Sequence, residues 1–300
     1  MGAMTVQVGG NSGLHLSASQ ISLFTECEQK WVYRKTTPQD EQRFAGSDAT
    51  DLGTLLHTLM GAWWSQSPWR EAWLTAVAEY LHETPEDIAH KVSRGKVIHL
   101  DKGWSAPKFA LRALPIMEAW EKVHGKSPAK DPDRAWAATS LVALELPFDL
   151  PIPGVAGARV RGFIDGVVST PVDGVRVNDE VRLLEFKSMG RWGRENMVPF
   201  DPQLHLYLWA AKQLMPNLAG AVFEAISTYD YKDGPDSRRF KRLELPYIDE
   251  AIEISIANVA KVAERGLYLL ENPTLAIRSV GSACTYCNHR RECLTPWELR

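Results

Sequence analysis

Apolar residues recur at helical spacing in the first 124 positions, alternate or run together through the middle, and return to helical spacing near the end. Ser17-Ala18-Ser19-Gln20 reads as a capping box, and Ile21, Phe24 and Trp31 continue its apolar face, so a helix is expected over 17–35 with Cys27 inside it. A polar loop over 38–50 follows. A second helix is expected over 51–66, with Leu52, Leu55, Leu56, Leu59, Met60 and Trp63 facing a core. On its other side Gly53, His57 and Gly61 share one face, which lets a ligand or another element approach the imidazole closely. The plainer reading of His57 is a core histidine. Residues 70–124 look largely helical, with Pro85, Pro107 and Pro115 as breaks. The period then changes. Leu141–Leu146, Val160–Val168 and Val181–Lys187 read as three consecutive strands. Asp201 caps a helix that has Pro202 at its first position and runs to Leu214. Strands near Ala221–Tyr229 and Phe240–Leu245 and a helix near Ile248–Leu270 complete the series. This order predicts an α/β fold, a mixed central sheet flanked by helices.

Composition narrows the class. Of 300 residues, 45% are hydrophobic and 24% charged, which excludes a disordered, collagen-like or coiled-coil chain. No apolar run reaches the roughly 18 residues of a membrane span. The net charge of −3 means that any nucleic acid must be bound by local patches. The 11 tryptophans fit base stacking and core packing equally well. The start lacks the basic and apolar regions of a signal peptide, so a cytoplasmic location is expected, with residues 1–16 a tag remnant and loose N-terminus.

The four cysteines are unevenly placed. Cys284, Cys287 and Cys293 form C-x2-C-x5-C, and Cys27 lies near the other end. A reducing compartment disfavours disulfides. Four thiolates suit one zinc ion or one iron–sulfur cluster. Structural zinc sites favour two close pairs, whereas this chain has one pair and two singletons, which tilts the reading toward [4Fe–4S]. His289 is a rival ligand that keeps Zn2+ open, and ordinary free cysteines are the bland alternative. Either metal centre would tie the two chain ends together.

Charge also appears where strands should be apolar. Asp165 sits inside Gly162–Val167, and Glu185 and Lys187 share one face of a strand whose other face carries Leu184 and Phe186. An unpaired buried charge costs roughly several kcal/mol, so these groups need compensation. A Glu185–Lys187 or Asp165–Lys187 ion pair is one solution. A hard divalent cation held by Asp165 and Glu185 is the other. Gln203 and Tyr207 share a face of the next helix, either as a solvated edge or turned toward these acids.

Taken in order, these residues resemble the PD-(D/E)XK nuclease superfamily, in particular its RecB-like branch and the CRISPR-associated iron–sulfur exonucleases with their phage-encoded relatives. The likeness extends from about Ser17 to Cys293. The family's first motif histidine matches His57, its G-x-x-D aspartate Asp165, its (D/E)-x-K Glu185 and Lys187, and its Q-x3-Y Gln203 and Tyr207. Its cluster cysteines match Cys27, Cys284, Cys287 and Cys293. Glu185 and Phe186 depart from the aspartate and tyrosine common there. The resemblance implies a restriction-endonuclease-like sheet with a helical insertion and an iron–sulfur cluster joining the N- and C-terminal segments. It implies one nuclease domain over 17–300: a helical part at about 17–130, a catalytic sheet at about 135–247, and a C-terminal helix and cluster segment at about 248–300. It implies Mg2+ or Mn2+ held by His57, Asp165, Glu185 and the Phe186 carbonyl, with Lys187, Gln203 and Tyr207 completing the catalytic set. The substrate would be DNA, single-stranded or with free ends, cut 5′ to 3′. Protein partners in recombination or spacer acquisition are compatible. A non-catalytic DNA-binding subunit remains the alternative. Arg191, Trp192 and Arg194 follow the catalytic strand directly and are the first choice for DNA contacts; Arg238, Arg239, Lys241, Arg242, Arg290 and Arg291 are further ones.

Overall fold

The computed structural model describes residues 13–37, 48–93, 106–125, 139–169, 180–190, 195–229, 231, 234–281, 284–285 and 287–293. The chain divides into two compact units. One gathers residues 1–44, 147–162 and 249–300, and the other residues 45–146 and 163–248. One unit is thus assembled from three separate stretches of chain, the other from two.

The first unit begins with β1 (Leu14–Leu16), α1 (Ala18–Glu26) and α2 (Glu28–Thr36). Leu14 and Leu16 are buried, so these residues form a strand and not a loose N-terminus. The single helix expected over 17–35 is two. Cys27 is extended, with φ −163° and ψ 111°, and serves as the C-cap of α1 and the N-cap of α2. Only half of the capping box forms. Ser17 accepts from the Gln20 N–H, while the Gln20 side chain is taken by Lys35. Strands β2 (Ser140–Pro151) and β3 (Ala158–Ser169) run from one unit into the other. In the first unit β1 pairs in parallel with the start of β3, Leu14 opposite Ala158 and Leu16 opposite Val160. Helix α8 (Asp249–Glu271) packs on β1, α1 and α2. Gly266 of α8 lets Leu14 and Trp31 approach; a Cβ there would stand 3.2 Å from each.

The second unit holds α3 (Asp48–Trp64), α4 (Trp69–Leu81), α5 (Pro85–Ser93), α6 (Ala106–His124), β4 (Val181–Met189), α7 (Pro202–Leu214), β5 (Leu218–Ser227) and β6 (Phe240–Pro246). Pro85 and Pro107 stand in first turns, where the missing N–H costs nothing. Pro115 lies inside α6 without ending it. The carbonyl it deprives belongs to Leu111, a residue 45% exposed. β3 and β4 are antiparallel, β4 and β5 parallel, β5 and β6 antiparallel. The sheet order is β1-β3-β4-β5-β6, with β2 on β3. This is the mixed sheet with flanking helices that the pattern predicts. One face of the second unit's strands (Val168, Leu184, Phe186, Val222, Ile226) joins α3, α4 and α6 in a core that contains Trp63, Trp64, Trp69, Trp73 and Trp120. These tryptophans serve packing. No helix among the described residues is long and apolar enough to cross a membrane.

Candidate active site

β4 carries charge into apolar surroundings. Leu183, Leu184, Glu185 and Phe186 are all buried, and Glu185 is 2% exposed. Neither ion pair considered from sequence forms. Instead Gln203 Nε2 donates to Glu185 Oε1 at 3.0 Å, while Lys187 Nζ donates to Gln203 Oε1 at 3.1 Å. One amide thus bridges the acid and the lysine. Asp201 fixes that amide at the head of α7, its Oδ1 accepting from the Gln203 N–H at 2.9 Å. The other Glu185 oxygen, Oε2, is buried without a hydrogen-bond partner.

Asp165 reaches across from β3. Its Oδ2 accepts from the Phe186 N–H at 2.9 Å and stands 3.4 Å from His57 Nδ1. The His57 ring meets the Phe186 ring edge-on at 6.3 Å. Gly53, one turn earlier, gives α3 the close approach that the sequence foresees: a Cβ there would lie 3.2 Å from Ser188 Oγ of β4. Gly61 plays no such part, since a Cβ there meets nothing within 4 Å.

Electrostatics tie these groups together. Burial and then the charge of Asp165 push Glu185 well above the carboxylate range, against the pull of Lys187 and Gln203. Burial lowers His57, but the hydrogen bond and charge of Asp165 outweigh it and leave the imidazole raised. Tyr207 is raised by burial and then by Glu185, Asp165, Glu145 and Asp201, so its hydroxyl keeps its proton. Glu145 on β2 was not singled out from the sequence. Burial and Asp165 raise it, with His57 opposing. Its backbone is left-handed, φ 47°, a conformation that costs about 1–3 kcal/mol for a residue with a side chain. A glutamate between Leu144 and Leu146 in a strand was the available signal. Four carboxylates crowd a region where His57 and Lys187 supply the positive charge.

Among the described residues no three His, Cys, Asp or Glu side chains already stand at metal-binding spacing. The donor chemistry nevertheless suits a hard divalent ion, because Glu185 Oε2 lacks a partner and Asp165 is its nearest acidic neighbour in effect. The Phe186 N–H is engaged by Asp165 and its ring is buried.

The four cysteines share one cavity in the first unit without standing at metal-binding spacing. Cys27, Cys284, Cys287 and Cys293 line one cavity of about 630 Å³ and form no disulfide. Glu28 fastens the late segment beside Cys27. It accepts from the Ile277 N–H at 2.9 Å and binds Arg265, whose Nη2 also donates to Leu275 O. Burial raises the Cys293 thiol and the other three thiols raise it further, with Arg278 opposing. His289 lines the same cavity and stacks on Tyr33 at 5.4 Å.

Arg191, Trp192 and Arg194 lie outside the described residues. Several other basic candidates are committed within the fold. Arg242 Nε donates to the buried Glu224 at 2.7 Å, and Arg239 Nη1 to Tyr229 O at 2.8 Å. Arg290 lines the cysteine cavity.

Buried Glu185, Asp165 beside it and Lys187 two residues along the same strand form one polar site. A profile of the PD-(D/E)XK nuclease superfamily matches residues 15–294, and the chain belongs to that superfamily. Among solved structures, a candidate exonuclease from Eubacterium rectale is 12% identical, with a TM-score of 0.48, covering 95% of this chain and 93% of its own. The protein SSO0001 is also 12% identical, with a TM-score of 0.33, over 88% and 94%. No curated protein matches.

Proposed function

We propose that the chain is a metal-dependent DNA exonuclease of the RecB-like branch, related to the CRISPR-associated iron–sulfur exonucleases. It acts on single-stranded ends, 5′ to 3′, and carries a structural [4Fe–4S] cluster. The observation that carries the hydrolytic reading is the buried Glu185 carboxylate with an unpartnered oxygen. Glu224 also leaves one oxygen unpartnered, but Arg242 neutralises its charge, whereas Glu185 is bonded only to the neutral amide of Gln203. Glu185, Asp165 and His57, with the Phe186 carbonyl, would hold Mg2+ or Mn2+. When bound, that ion neutralises charge at the scissile phosphate and acidifies a water. The remaining tasks fall to the chain. Lys187, held by Gln203, places its ammonium beside the acids to steady the attacking water or a phosphate oxygen. Gln203 keeps acid and lysine in register, and Tyr207 stays a hydrogen-bond donor toward the substrate.

Two exposed aromatics support the single-strand preference. Phe163 is 58% exposed, two residues before Asp165 and on its side of β3. Phe200 is 70% exposed at the end of a short 3-10 helix over Glu195–Phe200. That turn is pinned by Val198, which is buried, and by His205 Nε2 bonded to Pro199 O at 2.8 Å. Rings held in water near the reacting groups suit stacking on unpaired bases.

The cluster reading rests on four thiols around one cavity. Zinc is the second reading, because His289 shares that cavity and burial keeps it neutral and able to ligate. Visible absorbance of anaerobically purified protein decides between them; a colourless, zinc-loaded protein removes the cluster.

The deciding assay is cleavage of end-labelled single- and double-stranded DNA with Mn2+ or Mg2+. Wild type should release products progressively from one end, and Lys187→Ala should not. If neither protein cuts but both bind DNA, the chain is a binding subunit that awaits a partner.

A further inference from the structure

Lys35 of α2 is positioned among cations without an acid. Its Nζ donates to His15 O and to Gln20 Oε1, each at 3.0 Å, and both acceptors are neutral. An ammonium has three N–H groups, so one remains. The Trp31 ring lies 5.7 Å from Nζ, which shields one side. His15 pairs with Arg159 and Leu16 with Val160 across β1 and β3, so Arg161 comes next on the strand beside the lysine, exposed to water. Arg34 adjoins on α2 and is exposed as well. The contrast with Arg159 is informative. Arg159 is neutralised by Asp149, Nε to Oδ1 at 2.6 Å and Nη2 to the carbonyl at 2.7 Å. Arg161 has no such partner among the described residues. Burial, then Arg161 and Arg34, lower the Lys35 ammonium to about 8, and no carboxylate offsets them.

A basic surface run is ordinarily a solvated face with mobile side chains. Lys35 differs because it is half-buried and its head is already fixed by two acceptors. The entropy that a lysine loses on gripping an anion has largely been lost in folding. We infer that Lys35 and Arg161, with Arg34 beside them, form a phosphate-binding site that holds the sugar–phosphate backbone of bound DNA. The phosphate is the shared chemistry, and its assignment to DNA rests on the nuclease reading. The site contributes affinity and registration of the strand without sequence preference.

The test is the salt dependence of binding to a labelled single-stranded oligonucleotide, without added divalent metal. Wild type, Lys35→Gln and Arg161→Gln are compared, with melting curves as controls. Each variant should flatten the log–log slope by about 0.7, the loss of one phosphate contact on a single strand. Arg161 is exposed, so its variant keeps the test valid if Lys35→Gln folds poorly. Slopes unchanged in both variants overturn the inference. So does tight, Lys35-dependent binding of inorganic phosphate with DNA slopes unaltered, which makes the site one for a small free anion. Cleavage of the same oligonucleotide with Mn2+ is scored in parallel. Flattened slopes beside an inert wild type overturn the nuclease reading and leave this site standing; intact cleavage with unchanged slopes does the reverse.

Discussion

Glu185 keeps its carboxylate in a place where a charge is unfavourable. Replacing it with glutamine removes the charge and preserves the shape. Glu185→Gln should therefore abolish cleavage, by at least about 100-fold, while the metal-free protein melts at the same temperature or higher. A marked drop in melting temperature would mean that the charge is structural. The same groups set a pH dependence. Glu185, Glu145 and His57 all have raised values in the folded chain. Their stabilisation is complete below their unfolded values and is lost as pH rises through the folded ones. The metal-free protein should thus lose stability as pH climbs above the ordinary carboxylate range, and further above the ordinary histidine range. Stabilisation by added Mn2+ should grow over the same interval, because the metal competes with those protons. Melting curves of wild type and Glu185→Gln across pH, with and without Mn2+, measure both. Taking wild type minus variant removes the oppositely signed contributions of groups such as Glu28, and a difference that rises with pH in the metal-free proteins contradicts the assignment. Asp165, Glu185 and Lys187 were visible in the sequence because charge in an apolar strand is conspicuous, and His57 because glycines flank it on one face of a helix. Gln203 was visible only by its spacing from Tyr207. Glu145 escaped because what distinguishes it is a backbone angle, which residue type does not encode.

The turn before α7 and the β5–β6 pair show how elements hold the site. Removing a ring held in water costs little stability, so Phe200→Ala should fold normally. It should weaken single-strand binding by about 1–3 kcal/mol, seen as a raised KM with kcat little changed. Phe200→Trp should restore it. Equal losses on single- and double-stranded substrates would remove the stacking role. Gly220 of β5 is a structural counterpart. A Cβ there would stand against Leu245 O of β6, and no rotamer relieves a clash with backbone. Gly220→Ala should cost about 2–4 kcal/mol, read from denaturant unfolding, through separation of the paired strands. The strands and α7 were legible because period and capping agree there: Asp201 and Pro202 mark the helix start that is observed. The break at Cys27 and the persistence of α6 through Pro115 were not. The first depends on the cysteine being drawn out of the helix toward the late segment, and the second on the exposure of Leu111. Both are tertiary circumstances that a local pattern does not carry.

At the scale of the molecule, contact follows space and not sequence, and the two units cut across the helical part, sheet and C-terminal segment expected from the pattern. The first unit is assembled from both chain ends and the stretch 147–162. A centre that joined Cys27 to Cys284, Cys287 and Cys293 would close a loop of most of the chain. By analogy with a disulfide spanning so long a loop, that closure removes about 5 kcal/mol of unfolded-state entropy, apart from the bond energy of the centre itself. The second unit has its own core around Trp63, Trp64 and Trp120 and includes no cysteine. Loss of the centre should therefore fall on one unit. Calorimetry of the metal-loaded protein should show the first unit melting at a temperature that drops steeply in Cys284→Ser, together with loss of visible absorbance. The transition of the second unit should move much less, because none of its buried contacts involves a thiol. Cys27→Ser should behave alike, since a four-ligand centre is disabled from either chain end. If instead all four cysteines can be replaced with both transitions unmoved, the cavity holds no metal centre. The chain ends are then held by the packing of α8 on β1, α1 and α2, with Glu28, Arg265 and the backbone of Ile277.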